Sequence, residues 1–198
     1  MASTDNINSI EILIGRTVLS RSTANKIGQF HDLIIDVAKG NPAGISVRLP
    51  DGSLRLVESR DICGFGPDAL MIQRDESAVT VEDSPLKTLP LAKNNLMGAN
   101  AVTESGRLLG QVVNIYIRLS ETVLLIYEVR SSILDKLLGH ALFFPATAGR
   151  AMSADFARIV VAEDTQEKAE KSLGALETRL FGPPKEEDPV VVVRSRGY

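Results

Sequence analysis

Leu13-Ile14-Gly15-Arg16-Thr17-Val18 returns 83 residues later as Leu96-Met97-Gly98-Ala99-Asn100-Ala101. Gly28-Gln29-Phe30-His31-Asp32-Leu33-Ile34-Ile35 returns 82 residues later as Gly110-Gln111-Val112-Val113-Asn114-Ile115-Tyr116-Ile117. The two offsets differ by one, so a residue has been lost from the intervening turn, a cheap change because closure entropy depends only logarithmically on loop length. In the first copy Leu33, Ile35 and Val37 alternate with Asp32, Ile34 and Asp36. In the second, Ile115, Ile117 and Leu119 alternate with Asn114, Tyr116 and Arg118. Period two is the mark of a strand with one buried face, and a slip of one residue would turn every side chain over. Both copies keep one phase, and that identifies an internal duplication of a β-rich unit.

Around these anchors each unit reads as short strands. Ile45, Val47 and Leu49 alternate, Pro50-Asp51-Gly52-Ser53 makes a hairpin turn, and Leu54 and Leu56 follow. Gly66-Pro67-Asp68 breaks the chain before Ala69-Leu70-Met71-Ile72. In the second unit residues 123–129 form a more apolar strand, expected to be buried on both faces, and 141–144 and 157–161 complete the set. Residues 132–138 fit a single helical turn. The pattern predicts a mainly β protein, a small barrel or sandwich in each unit. The units are expected at 10–83 and 96–163, with a linker at 84–95 where Ser84-Pro85 and Leu89-Pro90 interrupt any ladder. Residues 164–182 are predicted as one helix, with Asp164 and Glu167 as a capping box, Ala169, Leu173, Leu176 and Leu180 on one face, and Glu167 paired with Lys171 on another. Residues 183–198 read as a polar, flexible tail with a β-prone tip at 190–193.

Composition narrows the function. The 198 residues carry 22 basic and 25 acidic side chains, a formal net charge of −3, so no overall basic field exists to hold a phosphate backbone. Residues 91–162 are mildly positive, but Arg107, Arg118, Arg130 and Arg150 are scattered and lack interleaved aromatics. Direct nucleic-acid binding is therefore not expected. One cysteine, Cys63, excludes an internal disulfide and reads as a small core hydrophobe. The opening residues lack the basic start and apolar core of a signal peptide, and no stretch reaches the length of a transmembrane helix, so a cytoplasmic location is expected.

Chemistry-bearing residues are sparse. Gly15, Gly28, Gly98 and Gly110 fit no phosphate-binding loop and read as turn glycines beside strands. His31, His140 and Cys63 do not have the spacing of a zinc site. Asp32 and Asp36 share a strand face about 13 Å apart, too far to share a proton, and with Asp61 are expected as polar strand positions or turn caps. No enzymatic activity, no catalytic, cofactor-binding or metal residue, and no cofactor are expected.

The order Leu-Ile-Gly at 13–15, Lys26-Ile27-Gly28, a strand carrying Asp32, and Gly64-Phe65-Gly66-Pro67-Asp68-Ala69-Leu70 resembles the PRC-barrel family. The second unit repeats it with Leu-Met-Gly at 96–98, Leu108-Leu109-Gly110, Asn114, and an apolar strand ending in Pro145. The pattern departs from the family at Asn114, opposite Asp32, and at Asn100, opposite Thr17. The resemblance implies two small antiparallel β-barrels in tandem and a non-catalytic role as an assembly or interaction surface. The family includes the cytoplasmic part of the photosynthetic reaction-centre H subunit and the C-terminal domain of a ribosome maturation factor. It thus implies a protein partner, with a ribosome- or RNA-maturation accessory role as the alternative function; separately, the stripe of Leu173, Leu176 and Leu180 is expected to pack against a barrel or to pair with a second copy in a homo-oligomer.

Overall fold

A computed structural model describes residues 7–66, 68–118, 123–131 and 141–182. The first unit contains β2 (Thr17–Ser20), β3 (Lys26–Asp36), β4 (Asn41–Arg48), β5 (Leu54–Glu58), β6 (Ile62–Phe65), β7 (Ala69–Ile72) and the short β8 (Val79–Thr80). The second contains β9 (Asn100–Thr103), β10 (Leu108–Arg118), β11 (Leu124–Arg130), β12 (Leu142–Pro145), β13 (Gly149–Met152) and β14 (Arg158–Val161), preceded in the chain by β1 (Ile7–Ser9). The sheet orders are β6-β7-β2-β3-β4-β5-β8 and β13-β14-β9-β10-β11-β12, the same path twice. The lost residue falls between β9 and β10, where four residues replace the five between β2 and β3.

Not every pairing is antiparallel. β2 runs parallel to β7, and β9 parallel to β14. The cause lies in the connection from β5 to β6. A single 3-10 turn, Ser59–Asp61, joins these strands, and the pairings require both to run in the same direction. The chain therefore bends without reversing, and the last strand returns parallel to the first. Ala146–Ala148 performs the same step between β12 and β13. Among the described residues no ladder joins β5 to β6 or β12 to β13.

Both long strands carry a bulge at matching positions, between Phe30 and Asp32 and between Val112 and Asn114. The extra residue places Phe30 and Leu33 in the same core, and likewise Val112 and Ile115, where strict alternation separates them. β11 is buried along its middle, as its continuous apolar run predicts.

The two units are not independent bodies on a linker. β1 pairs with β10 of the second unit, Ile7 to Ser9 opposite Arg118 to Tyr116. The segment leading into the second unit does the reverse: Leu91 bridges Ile34, and the Ile35 amide donates to the Pro90 carbonyl at 3.0 Å. Each unit's leading segment thus lies along the other unit's long strand. Leu13 and Leu96, equivalent in the repeat, are both fully buried in one core that continues through both sheets. Residues 84–95 are accordingly packing elements, with a 3-10 turn at Pro85–Thr88 and a π-helical turn at Ala92–Leu96.

The predicted single helix at 164–182 is instead two. α1 (Thr165–Lys168) stops at Ala169, and α2 (Leu173–Phe181) starts afresh with Ser172 as its N-cap. Between them Glu170 exchanges two backbone hydrogen bonds with Phe143, at 2.8 and 2.9 Å, covering the outer edge of β12. An unpaired sheet edge is the stronger claimant for those backbone groups. The Asp164 side chain makes no cap; it pairs with Lys168. Ala169 lies outside both helices, Leu176 is fully buried against Ile126 and Phe143, and Leu180 is exposed. Gly182 ends α2 with φ +84°. No helix among the described residues is long and apolar enough to cross a membrane.

Candidate functional site

The repeated glycines answer to geometry. Gly15 and Gly98 have φ of +82° and +91° and donate their amides to the carbonyls of Phe30 and Val112, which are themselves equivalent. A Cβ at Gly28 would stand 2.3 Å from the Arg48 carbonyl oxygen, and one at Gly110 would stand 2.3 Å from that of Arg130. Gly28 and Gly110 thus let one strand cross close over the next, whereas Gly15 and Gly98 have open space around a Cβ and are set by their positive φ.

Asp32, expected as an ordinary polar strand position, is 1% exposed. Its carboxylate accepts amide hydrogens from Leu33 at 2.8 Å, Lys93 at 3.0 Å and Asn94 at 3.1 Å. Two of those donors belong to the segment crossing over from the second unit. Burial pushes the Asp32 carboxyl above its ordinary pKa, and the three amides oppose that shift. At the matching place Asn114 accepts from the Ile115 amide at 2.8 Å and from the Ser9 hydroxyl at 3.0 Å. The residue that differs between copies is thus a staple in both. Lys93 Nζ also reaches Glu11 at 3.2 Å, joining the two leading segments to each other.

Beside Asn114 sits a second buried carboxylate. Glu128, 3% exposed, accepts from the Tyr116 hydroxyl at 2.8 Å and from Arg130 Nε and Nη2 at 2.9 and 2.6 Å. Burial, and secondarily the Glu128 carboxylate, raise the Tyr116 pKa. The first unit places the buried Ser46 here, bonded to His31 Nδ1 at 3.3 Å. His31 has a lowered pKa, chiefly from burial and then from Arg48. Glu128→Ala is expected to cost about 2–3 kcal/mol in urea unfolding, toward the low end for a broken buried pair because Arg130 can turn toward water. A loss below about 0.5 kcal/mol, the scale of an exposed pair, would show the triad to be a surface contact.

The remaining chemistry-bearing residues do not converge. Cys63, expected in the core, is exposed on β6. Asp36 pairs with Lys39 at 2.8 Å and caps the turn after β3; Asp61 closes the 3-10 turn between β5 and β6. His140, residues 132–138 and the tail at 183–198 lie outside the described residues. No cluster of three metal-ligating side chains occurs among the described residues. Arg118 lies over the Phe181 ring at 3.5 Å, Arg130 is bound to Glu128, and Arg150 reaches Glu104 at 3.8 Å, so these arginines serve separate local contacts. The Tyr127 hydroxyl is buried without a hydrogen-bond partner among the described residues, its ring edge-on to Phe144.

An open groove lies between the units. It has a volume of about 490 Å³ and runs between the tip of the β3–β4 hairpin (Val37, Ala38), the crossing segment (Leu89, Pro90), the end of β13 (Met152) and the β13–β14 loop (Ala154, Phe156). Phe156 has φ +57°, a left-handed conformation that costs an aromatic residue about 1–3 kcal/mol and persists only where the surroundings enforce it. Asp155 enforces it here, accepting from the Ser153 hydroxyl at 2.6 Å and the Ala157 amide at 3.1 Å. Nothing local in the sequence marks this groove, because its walls come from three segments far apart in the chain. No protein-family model matches the chain, and no curated protein matches it.

Proposed function

We propose that this chain is a non-catalytic interaction module, built from two PRC-barrel-like units each closed by a bent strand, and that it helps assemble a larger complex through the groove between them. The strained Phe156 carries the reading. Strain kept at an apolar opening is characteristic of a recognition surface rather than of a fold-stabilising loop. The packing supports it as well: aliphatic side chains fill both sheets' inner faces, and the buried carboxylates are committed to backbone amides or to Arg130. The work is therefore assigned to the exterior, and the partner to a protein presenting an extended apolar segment.

The test compares native-lysate capture by the wild-type chain with capture by Phe156→Gly and Met152→Glu. Glycine at 156 removes both ring and strain, so the variant is expected to unfold no more easily than wild type while losing its partner about ten-fold, the trade-off of a functional strain site. A remote variant, Ser53→Ala, is expected to keep the partner. Partner retention by both groove variants would overturn the assignment.

A further inference from the structure

We propose that the chain associates with a second copy of itself, the outer sheet face of one copy's second unit stacking on the outer sheet face of the other copy's first unit. The contact stands apart from the groove and does not depend on what fills it. In the second unit Leu108 pairs with Val102, and Val102 with Val160, a row across β10, β9 and β14. Their chain neighbours Ala101, Thr103, Leu109, Ile159 and Val161 are buried, so alternation turns the row outward. Leu108 is 59% exposed, the most exposed large apolar side chain among the described residues. The first unit carries the equivalent row, Lys26, Leu19, Met71 and Gly64, in the same register across β3, β2, β7 and β6. Lysine in the place of Leu108 means that the fold itself does not require an apolar group there. Leu19, Met71, Val102 and Val160 join none of the buried clusters, and an exposed apolar row of this kind marks an interaction surface.

Charge selects the occupant. Arg21 follows β2 and Arg74 lies two residues beyond β7; Glu104 and Glu163 hold the same places after β9 and β14. All four are exposed. Arg21 and Arg74 have no ion-pair partner among the described residues, and Asp75, beside Arg74, is turned to Thr23 and Asn25. Glu163 accepts from the neutral Ser105 amide and hydroxyl, and Glu104 reaches Arg150 only at 3.8 Å. Stacking first unit on first would set Arg21 against Arg74, and second on second would set Glu104 against Glu163; both oppose like charges. Stacking first on second, with a half-turn about the strand direction, reverses the strand order and sets Arg21 against Glu163 and Arg74 against Glu104. The same half-turn lays Val102 on Met71, Val160 on Leu19, and Leu108 on Gly64, where a Cβ would meet nothing within 4 Å. The protruding leucine thus faces the gap in the opposite row. Because the contact joins unlike units, it closes as a dimer with two such contacts or continues head to tail.

The test is light scattering of the full-length chain over about 1 to 100 μM, the range in which a contact of modest area associates. The mass is expected to climb above the 21.4 kDa of one chain as concentration rises. Gly64→Leu fills the gap without meeting a neighbour in its own fold, and Arg74→Glu reverses a charge that has no partner there. Both are expected to melt with the wild type while association weakens about ten-fold. Glu104→Arg is expected to weaken it alike. An equimolar mixture of Arg74→Glu and Glu104→Arg chains is expected to regain wild-type association, since each copy then offers the charge the other lacks. A chain that keeps the mass of one copy up to about 100 μM would overturn the proposal. So would association that survives both Gly64→Leu and Arg74→Glu, or a mixture no heavier than its parts.

Discussion

Gly110→Ala is expected to be the most damaging methyl group that can be added to this chain. The new Cβ would stand 2.3 Å from the Arg130 carbonyl oxygen and 2.5 Å from its carbon, in a backbone with φ +140°. Both obstacles are main chain inside the β10–β11 pairing, so no rotamer change relieves them; the strands must part. Overpacking and backbone strain together are expected to cost about 3–5 kcal/mol, a large fraction of the stability of an ordinary domain. Gly28→Ala meets the same obstacle at the Arg48 carbonyl without the positive φ, and is expected to lose about 1–3 kcal/mol. Gly15→Ala and Gly98→Ala have open space around the added carbon and carry only the left-handed penalty, about 1–2 kcal/mol. Urea unfolding of the four variants checks the series. Equal losses at positions 98 and 110 would mean that conformation, not strand crossing, placed glycine at both.

That series shows what the duplication made legible. Period-two alternation, the paired glycines and the missing turn residue are local features, and they mark most strands and the twofold plan. The exchange of leading segments left no such mark. β1 is three residues long and finds its partner more than a hundred positions away, and a pairing of that range imposes no periodicity on either strand. Alternation assigns Asp32 to the outer face, where a solvated residue is expected; only the bulge at His31 and the chain crossing from residue 93 make that face an interior. The helix at 164–182 failed for a related reason. Helical spacing from Ala169 to Leu180 is real, but the edge of β12 competes for Glu170, and Ser172 supplies a better cap than Asp164. Residue type alone places Cys63 in the core, and β6 exposes it. The groove was beyond reach, since both its walls and its strain are tertiary.

Asp32 is where the two halves depend on each other most. Asp32→Ala would leave the amides of Leu33, Lys93 and Asn94 without their acceptor at a site 1% exposed, and is expected to cost about 3–5 kcal/mol with loosened docking of the crossing segment. Asp32→Asn keeps one oxygen for Leu33, the arrangement Asn114 already uses, but turns an amide donor toward two other donors; a loss of about 2 kcal/mol is expected. The pH dependence separates the charge from the geometry. Because burial raises the folded-state pKa of Asp32, the native protein holds that proton more tightly than the unfolded chain. Its contribution to stability is therefore fullest below the ordinary aspartate range and falls as pH rises through the displaced pKa. Other carboxylates titrate alike in wild type and Asp32→Asn and cancel in the difference. The stability advantage of wild type over Asp32→Asn is expected to grow as pH drops from 7 toward 4, measured by denaturant unfolding at each pH. An advantage that shrinks over that range would mean the three amides outweigh burial, and the staple would then be an ionised carboxylate held below its ordinary pKa.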